Sequence, residues 1–220
     1  MNPIQTRQLI STLSAAVLLA VAAPAPAAQH EHAAPAATKA AQTDAALRDL
    51  WVGHVFWVRN VVRETLAGNP AAAAAAEKEV VANAHQIAGA IEPFYGKAAT
   101  DKLFDLLAAH YGAVRQYLDA TAAGSTAKQD DALKSLTANA GEIARFLSGA
   151  NPHLPFDAVN SLLLAHGGHH VQEIQQLKAG QYAEEVQTWN AMKNHMYTIA
   201  DALAGAIAQQ FPARFVAQAD

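Results

Sequence analysis

Cysteine is absent from all 220 residues. That absence excludes disulfides, Fe–S clusters, blue-copper sites, lipidation at a leader cysteine, and haem c held through Cys-x-x-Cys-His. Charge is also scarce, at 15% of residues, and the balance is mildly acidic, with a formal net charge of −4. A mildly acidic chain without clustered Lys and Arg argues against nucleic acid as the partner, because phosphate binding needs concentrated positive charge. Several catalytic signatures are missing: Gly-x-Gly-x-x-Gly and Walker loops for nucleotides, Gly-x-Ser-x-Gly for acyl transfer, His-Glu-x-x-His for zinc proteolysis, and the Glu-x-x-His pairs of di-iron bundles. No segment shows the alternation of a half-buried strand.

The one long apolar stretch, residues 9–23, spans about 15 positions and falls short of the ~20 a spanning helix needs. Arg7 before it and Ala25-Pro26-Ala27 after it make residues 1–27 read as a secretory signal peptide. The expectation is an exported protein, periplasmic or secreted, with no membrane span in its mature form. Removal of 27 residues leaves 193, carrying a net charge of −5 because only Arg7 is lost among the charged groups. That length suffices for one domain held by its core alone, and 52% of residues are hydrophobic. Residues 28–42 lack periodicity and read as an Ala/Pro/His tether. The folded domain is expected over 43–217.

What is present is a register. His54, His110 and His166 stand at equal intervals of 56 residues. At the same offset Leu47, Leu103 and Val159 match, then Leu50, Leu106 and Leu162, then Trp51, Leu107 and Leu163. Gly68, Gly124 and Gly180 match, as do Asn83, Asn139 and His195, and Ile87, Ile143 and Ile199. A fixed period of this size predicts a supersecondary unit in three copies, 47–102, 103–158 and 159–214. Within each copy the apolar positions recur at steps of three and four, as in Leu47, Leu50, His54, Val58 and Val61. The glycines fall where helices end. Asn69 before Pro70, and Ser125, stand at N-cap positions. Pro93, Asn151-Pro152 and Pro155 break the chain between hairpins. The predicted fold is all-α: a six-helix bundle of three hairpins, with even helices over about 71–92, 127–149 and 182–210.

Two readings of the histidines follow. In the structural one, His54 and His110 bond to the inward Asn83 and Asn139 of their own hairpins, because buried polar groups need partners. In the metal one, hairpins packed about a pseudo-threefold axis bring the three imidazoles together, with His195 as a fourth ligand; a solenoid would keep them apart. Imidazole sets of this kind suit copper or zinc.

The third copy departs from the other two. His166 and His170 lie one turn apart on one face, a spacing that chelates. Gly167 and Gly168 sit inside a helix at a cost of about 1 kcal/mol each relative to alanine; Gly112 matches Gly168, which points to close helix packing. His195 lies between Met192 and Met196, a soft set for Cu(I) or, alternatively, core filler. Cleavage after Ala27 would expose Ala28-Gln29-His30, an amine, two amides and an imidazole suited to square-planar Cu(II) or Ni(II), with His32 beside it. Carboxylates such as Glu92, Glu142, Glu173 and Asp201 read as solvated faces or surface pairs.

The segments LWVGHVFWVRN (residues 50–60), Pro93-Phe94-Tyr95-Gly96, Phe146-Leu147-Ser148 with Asn151-Pro152, Met196 to Asp201, and Gln210-Phe211-Pro212 resemble a bacterial family of exported helical-bundle proteins with an LWxxHVxWxRN opening. The resemblance covers most of residues 47–215 and implies a compact helical bundle. The family has no established activity, so the likeness assigns no functional residue. His166 to Leu177 alone is similar to a helix of the DinB-like metal bundles. The function expected from the residues is an exported copper- or zinc-binding protein that buffers metal in the envelope through inward histidines. The alternatives are a non-catalytic helical interaction protein with His–Asn core bonds, and a metal-dependent hydrolase with an open His-rich site.

Overall fold

The computed structural model describes residues 38–215. The signal-peptide reading, His30 and His32 lie outside them. Six long helices carry the fold: α1 (Lys39–Leu66), α2 (Pro70–Gly89), α4 (Lys97–Ala122), α5 (Thr126–Ala150), α6 (Phe156–Ala179) and α7 (Tyr182–Gln210), with a single turn, α3 (Glu92–Tyr95), between the first two hairpins. No strand occurs among the described residues. The chain is an all-α helical bundle.

Helix ends are set locally. Gly68, Gly124 and Gly180 take φ of 76°, 69° and 71°, which glycine adopts without a Cβ penalty. The residue after each donates its N–H back into the last turn: Asn69 to Glu64 O, Ser125 to Ala120 O and Gln181 to Gln176 O, each at 2.9 Å. These bonds satisfy carbonyls that a helix end otherwise leaves open. Two expectations about starts need correction. Asn69 and Ser125 occupy N-cap positions, but neither side chain makes a capping bond; the Asn69 amide donates to Glu64 Oε2 instead. And α1 starts at Lys39 inside the expected tether, with Thr38 Oγ1 accepting from the Ala41 N–H. Alanine's helix propensity and that cap carry the helix beyond its amphipathic part.

Each hairpin packs its two helices together, α2 packs on α4, α5 on α6, and α7 returns to α1. The helices therefore form a closed ring rather than an open stack. α6 also reaches α1 and α4 across the interior. At one end of the bundle the inward side chains are apolar. Leu47, Leu103 and Val159, with Trp51, Leu107 and Leu163 and with Ile87, Ile143 and Ile199, surround a cavity of about 50 Å³. One helical turn beyond that cavity come His54, His110 and His166.

The same cross-helix bond holds each hairpin. Asn83 Nδ2 donates to Leu50 O at 3.0 Å, Asn139 Nδ2 to Leu106 O at 3.1 Å, and His195 Nε2 to Leu162 O at 2.8 Å. Gly167 is the close approach on α6, since a Cβ there would lie 3.1 Å from Leu136 Cδ2. Gly112 and Gly168 face open space within 4 Å. The tight contact thus falls one residue before the expected position and is not common to both hairpins.

Candidate metal centre

Four imidazoles meet inside the ring. His54 comes from α1, His110 from α4, and His166 and His170 from α6; each is at most 5% exposed. His170 occupies the place that Val58 and Val114 hold in the first two hairpins, 112 and 56 residues earlier. The inward position that is valine in the first two hairpins is an imidazole in the third, so the third hairpin supplies two of the four.

Ring centres are 4.5 Å apart for His166 and His170, 5.7 Å for His54 and His166, and 6.0 Å for His54 and His170. One ligand nitrogen from each of these three lies within 4.8 Å of the others. His110 flanks the trio, stacked on His166 at 5.3 Å and 6.4 Å from His170. With metal–nitrogen bonds of about 2 Å and roughly 1.2 Å more to each ring centre, two imidazoles on one tetrahedral ion have centres about 5 Å apart. The observed separations bracket that value.

The hydrogen bonds are as informative as the distances. Asn139 uses its amide N–H on Leu106 O, so its Oδ1 accepts from His110 Nδ1 at 3.1 Å. That fixes the His110 tautomer and leaves Nε2 as a lone pair, the outer-shell arrangement of a metal-binding histidine. His110 Nε2 is buried without a partner. So are both nitrogens of His166, both of His170, and Nδ1 of His54. The expected His54–Asn83 bond is not made: His54 Nδ1 and Asn83 Oδ1 are each left unpaired. Buried polar atoms without partners are uncommon in folded proteins, and here six of them belong to one cluster.

Burial also keeps these rings neutral. It holds His54 down to about 3, helped by the neighbouring His110, and His110 to about 4 against the opposing pull of its Asn139 bond. His166 and His170 lie well below the ordinary imidazole value, first through burial and then through the other histidines. Neutral imidazole is the form that ligates.

Glu173 corrects the reading of the carboxylates. It is 2% exposed, on the same face of α6 as His166 and His170, in the slot of Val61 and Tyr117. Arg59 Nε lies 3.3 Å from Glu173 Oε1, while Arg59 grips Glu185 through two bonds of 2.5 and 2.6 Å. Glu185 is itself 1% exposed. Burial, then the charge of Glu185, push Glu173 up to about 8. Arg59, Glu173 and Glu185 were not legible as a unit from composition. The 56-residue offset carried the signal, since it sets Glu173 in an apolar slot. Asp201 does form an exposed pair, with Arg48 at 2.6 Å.

His195 does not join the four. Its ring pairs with His169 at 5.3 Å, and both are partly exposed. Met192 and Met196 are buried among Trp51, Ile199 and Leu103 in an apolar cluster, which is the filler role. His85 stacks on Phe104 at 3.7 Å, away from the centre. No family model matches the chain, and no curated protein or solved structure matches it.

Proposed function

We propose that this chain binds one transition-metal ion, copper or zinc, in the bundle interior through His54, His166 and His170, with His110 as the fourth imidazole. The observation that carries the reading is the set of six unpartnered ring nitrogens in one buried cluster. Leaving a polar atom buried and unpaired costs about 1–3 kcal/mol, and a shared ion removes that cost at several atoms together. An all-imidazole set suits zinc, copper or nickel and lacks the oxygen ligands that calcium and magnesium require. The leader-like pattern of residues 1–27 supports a location in the envelope or outside the cell, where the role would be metal buffering. No described helix is long and apolar enough to cross a membrane.

A purely structural reading has one observation in its favour, the His110–Asn139 bond. That bond accounts for one histidine of four. Hydrolysis has less support, because a substrate does not reach rings that are at most 5% exposed. Elemental analysis and calorimetric titration of tag-free protein with Zn²⁺ and Cu²⁺ test the proposal. The expected result is one tight equivalent, weakened at least tenfold in His170→Val, which restores the residue of the other two hairpins. Less than a tenth of an equivalent in the wild type would overturn it.

A further inference from the structure

A centre this enclosed poses a question of access. A hydrated dication loses its water shell on entering a low-dielectric interior, a transfer that is strongly unfavourable unless other ligands replace the water. Entry therefore needs ligands that replace water stepwise. Among the described residues, one further imidazole pair lies outside the four buried rings, His169 on α6 and His195 on α7, with ring centres 5.3 Å apart and planes at 58°. That separation matches two imidazoles on one tetrahedral ion, about 5 Å.

The pair is prepared in the same manner as a ligand site. The Leu162 carbonyl accepts only, so the 2.8 Å contact makes His195 Nε2 the donor and leaves Nδ1 as the lone pair. A histidine whose second nitrogen is tied to a backbone carbonyl has the orientation and basicity of a metal ligand. On the partner ring, His169 Nδ1 is buried without a hydrogen-bond partner. Both rings are half-buried rather than sealed, so the pair touches solvent. It also adjoins the buried set along α6: His169 stands next to His170 and three residues after His166, one helical turn away.

The geometry points to His169 and His195 as a second, weaker metal site at the surface, through which the ion is loaded into the buried centre. This rests on the proposed four-imidazole site. The occupant is a partly hydrated Zn²⁺ or Cu²⁺ held by two imidazoles and water, then passed to His170 and His166 by ligand exchange, with no change of oxidation state.

The chain supplies its own control. Asn83 and Asn139 make the cross-helix carbonyl bond that His195 makes, so His195→Asn keeps the bond and removes the imidazole. Stopped-flow mixing of tag-free wild type and His169→Ala/His195→Asn with Zn²⁺ (read through a chromophoric indicator) and with Cu²⁺ (read through its d–d absorption) measures loading. The double variant is expected to load at least tenfold more slowly, to reach the same tight equivalent, and to lose a second, weaker equivalent present in the wild type. Should the double variant fold poorly, His195→Asn alone gives the same comparison. Loading within twofold of wild type overturns the inference and leaves the buried site standing. Loss of the tight equivalent also overturns it, because the pair would then belong to the centre itself. A wild type that takes up no metal removes the proposed function and this inference together.

Discussion

The second and third hairpins start from the same inward helix face, yet their histidines end in different chemical states. In the second, Asn139 offers two groups pointing two ways: its N–H₂ donates to Leu106 O and its Oδ1 accepts from His110. In the third, His195 takes the Asn place and keeps the carbonyl bond to Leu162. An imidazole has its second nitrogen across the ring, so it holds no acceptor beside the first, and His166 keeps both nitrogens unpaired. A histidine in that place thus keeps the strut between helices and leaves both His166 nitrogens unpaired. At the same offset His170 stands opposite Val58 and Val114, and Glu173 opposite Val61 and Tyr117, so α6 carries polar groups where α1 and α4 are apolar or aromatic.

The comparison is broken most forcefully by acid. The folded chain holds His54 at about 3, His110 at about 4, and His166 and His170 well below the ordinary value, whereas the unfolded chain titrates near ~6.5. Between those limits the unfolded state binds more protons, so stability is full above ~6.5 and falls as pH is lowered towards the folded values. Four such rings remove about 5 kcal/mol per pH unit once the pH is well below ~6.5. Circular dichroism of the metal-free protein should show cooperative acid unfolding, and His170→Val should move the midpoint to lower pH. An unmoved midpoint would show that His170 is not held neutral.

Metal gives the next largest effect. At a thousandfold excess over Kd, one ion adds about 4 kcal/mol to stability, or roughly 10 °C in Tm for a domain of this length. Calorimetric scans should show that shift in wild type and, at the same metal concentration, a shift smaller by about a third or more in His170→Val.

The asparagines sharpen the contrast at smaller scale. Asn139→Ala removes the carbonyl bond and also strands His110 Nδ1, for a loss of about 2–3 kcal/mol; Asn83→Ala removes one bond and costs about 1 kcal/mol. Urea unfolding at pH 7.5 separates them, and equal losses would mean that the His110 bond contributes nothing. Smallest are the glycines. Gly112→Ala and Gly168→Ala should each stabilise by about 0.5–1 kcal/mol. Gly167→Ala should bring no gain, because its Cβ would meet Leu136 at 3.1 Å.

How much of this was legible in the sequence depended on the range of the forces involved. The glycine stops at Gly68, Gly124 and Gly180 were readable because a left-handed residue is a local requirement. The inward face of each histidine was readable from periodicity. Convergence of those faces was not, because it depends on α7 closing against α1, a contact between the two ends of the chain. The His54–Asn83 bond was expected by analogy with His110–Asn139 and is not made; the packing of His54 against His166 and His170 is decided by a different hairpin. Glu173 was misread because a carboxylate is usually solvated, whereas Arg59 and Glu185 meet it from α1 and α7.

Closure of the ring also bears on chain topology. His54 and His166 are 112 positions apart and sit on helices from the first and last hairpins. An ion held between them would be a cross-link spanning most of the domain. In the chain-entropy description, a tie closing about 100 residues restricts the unfolded ensemble by nearly 5 kcal/mol. A protein without a single cysteine would then have a reversible staple, set by the supply of metal rather than by thiol redox state.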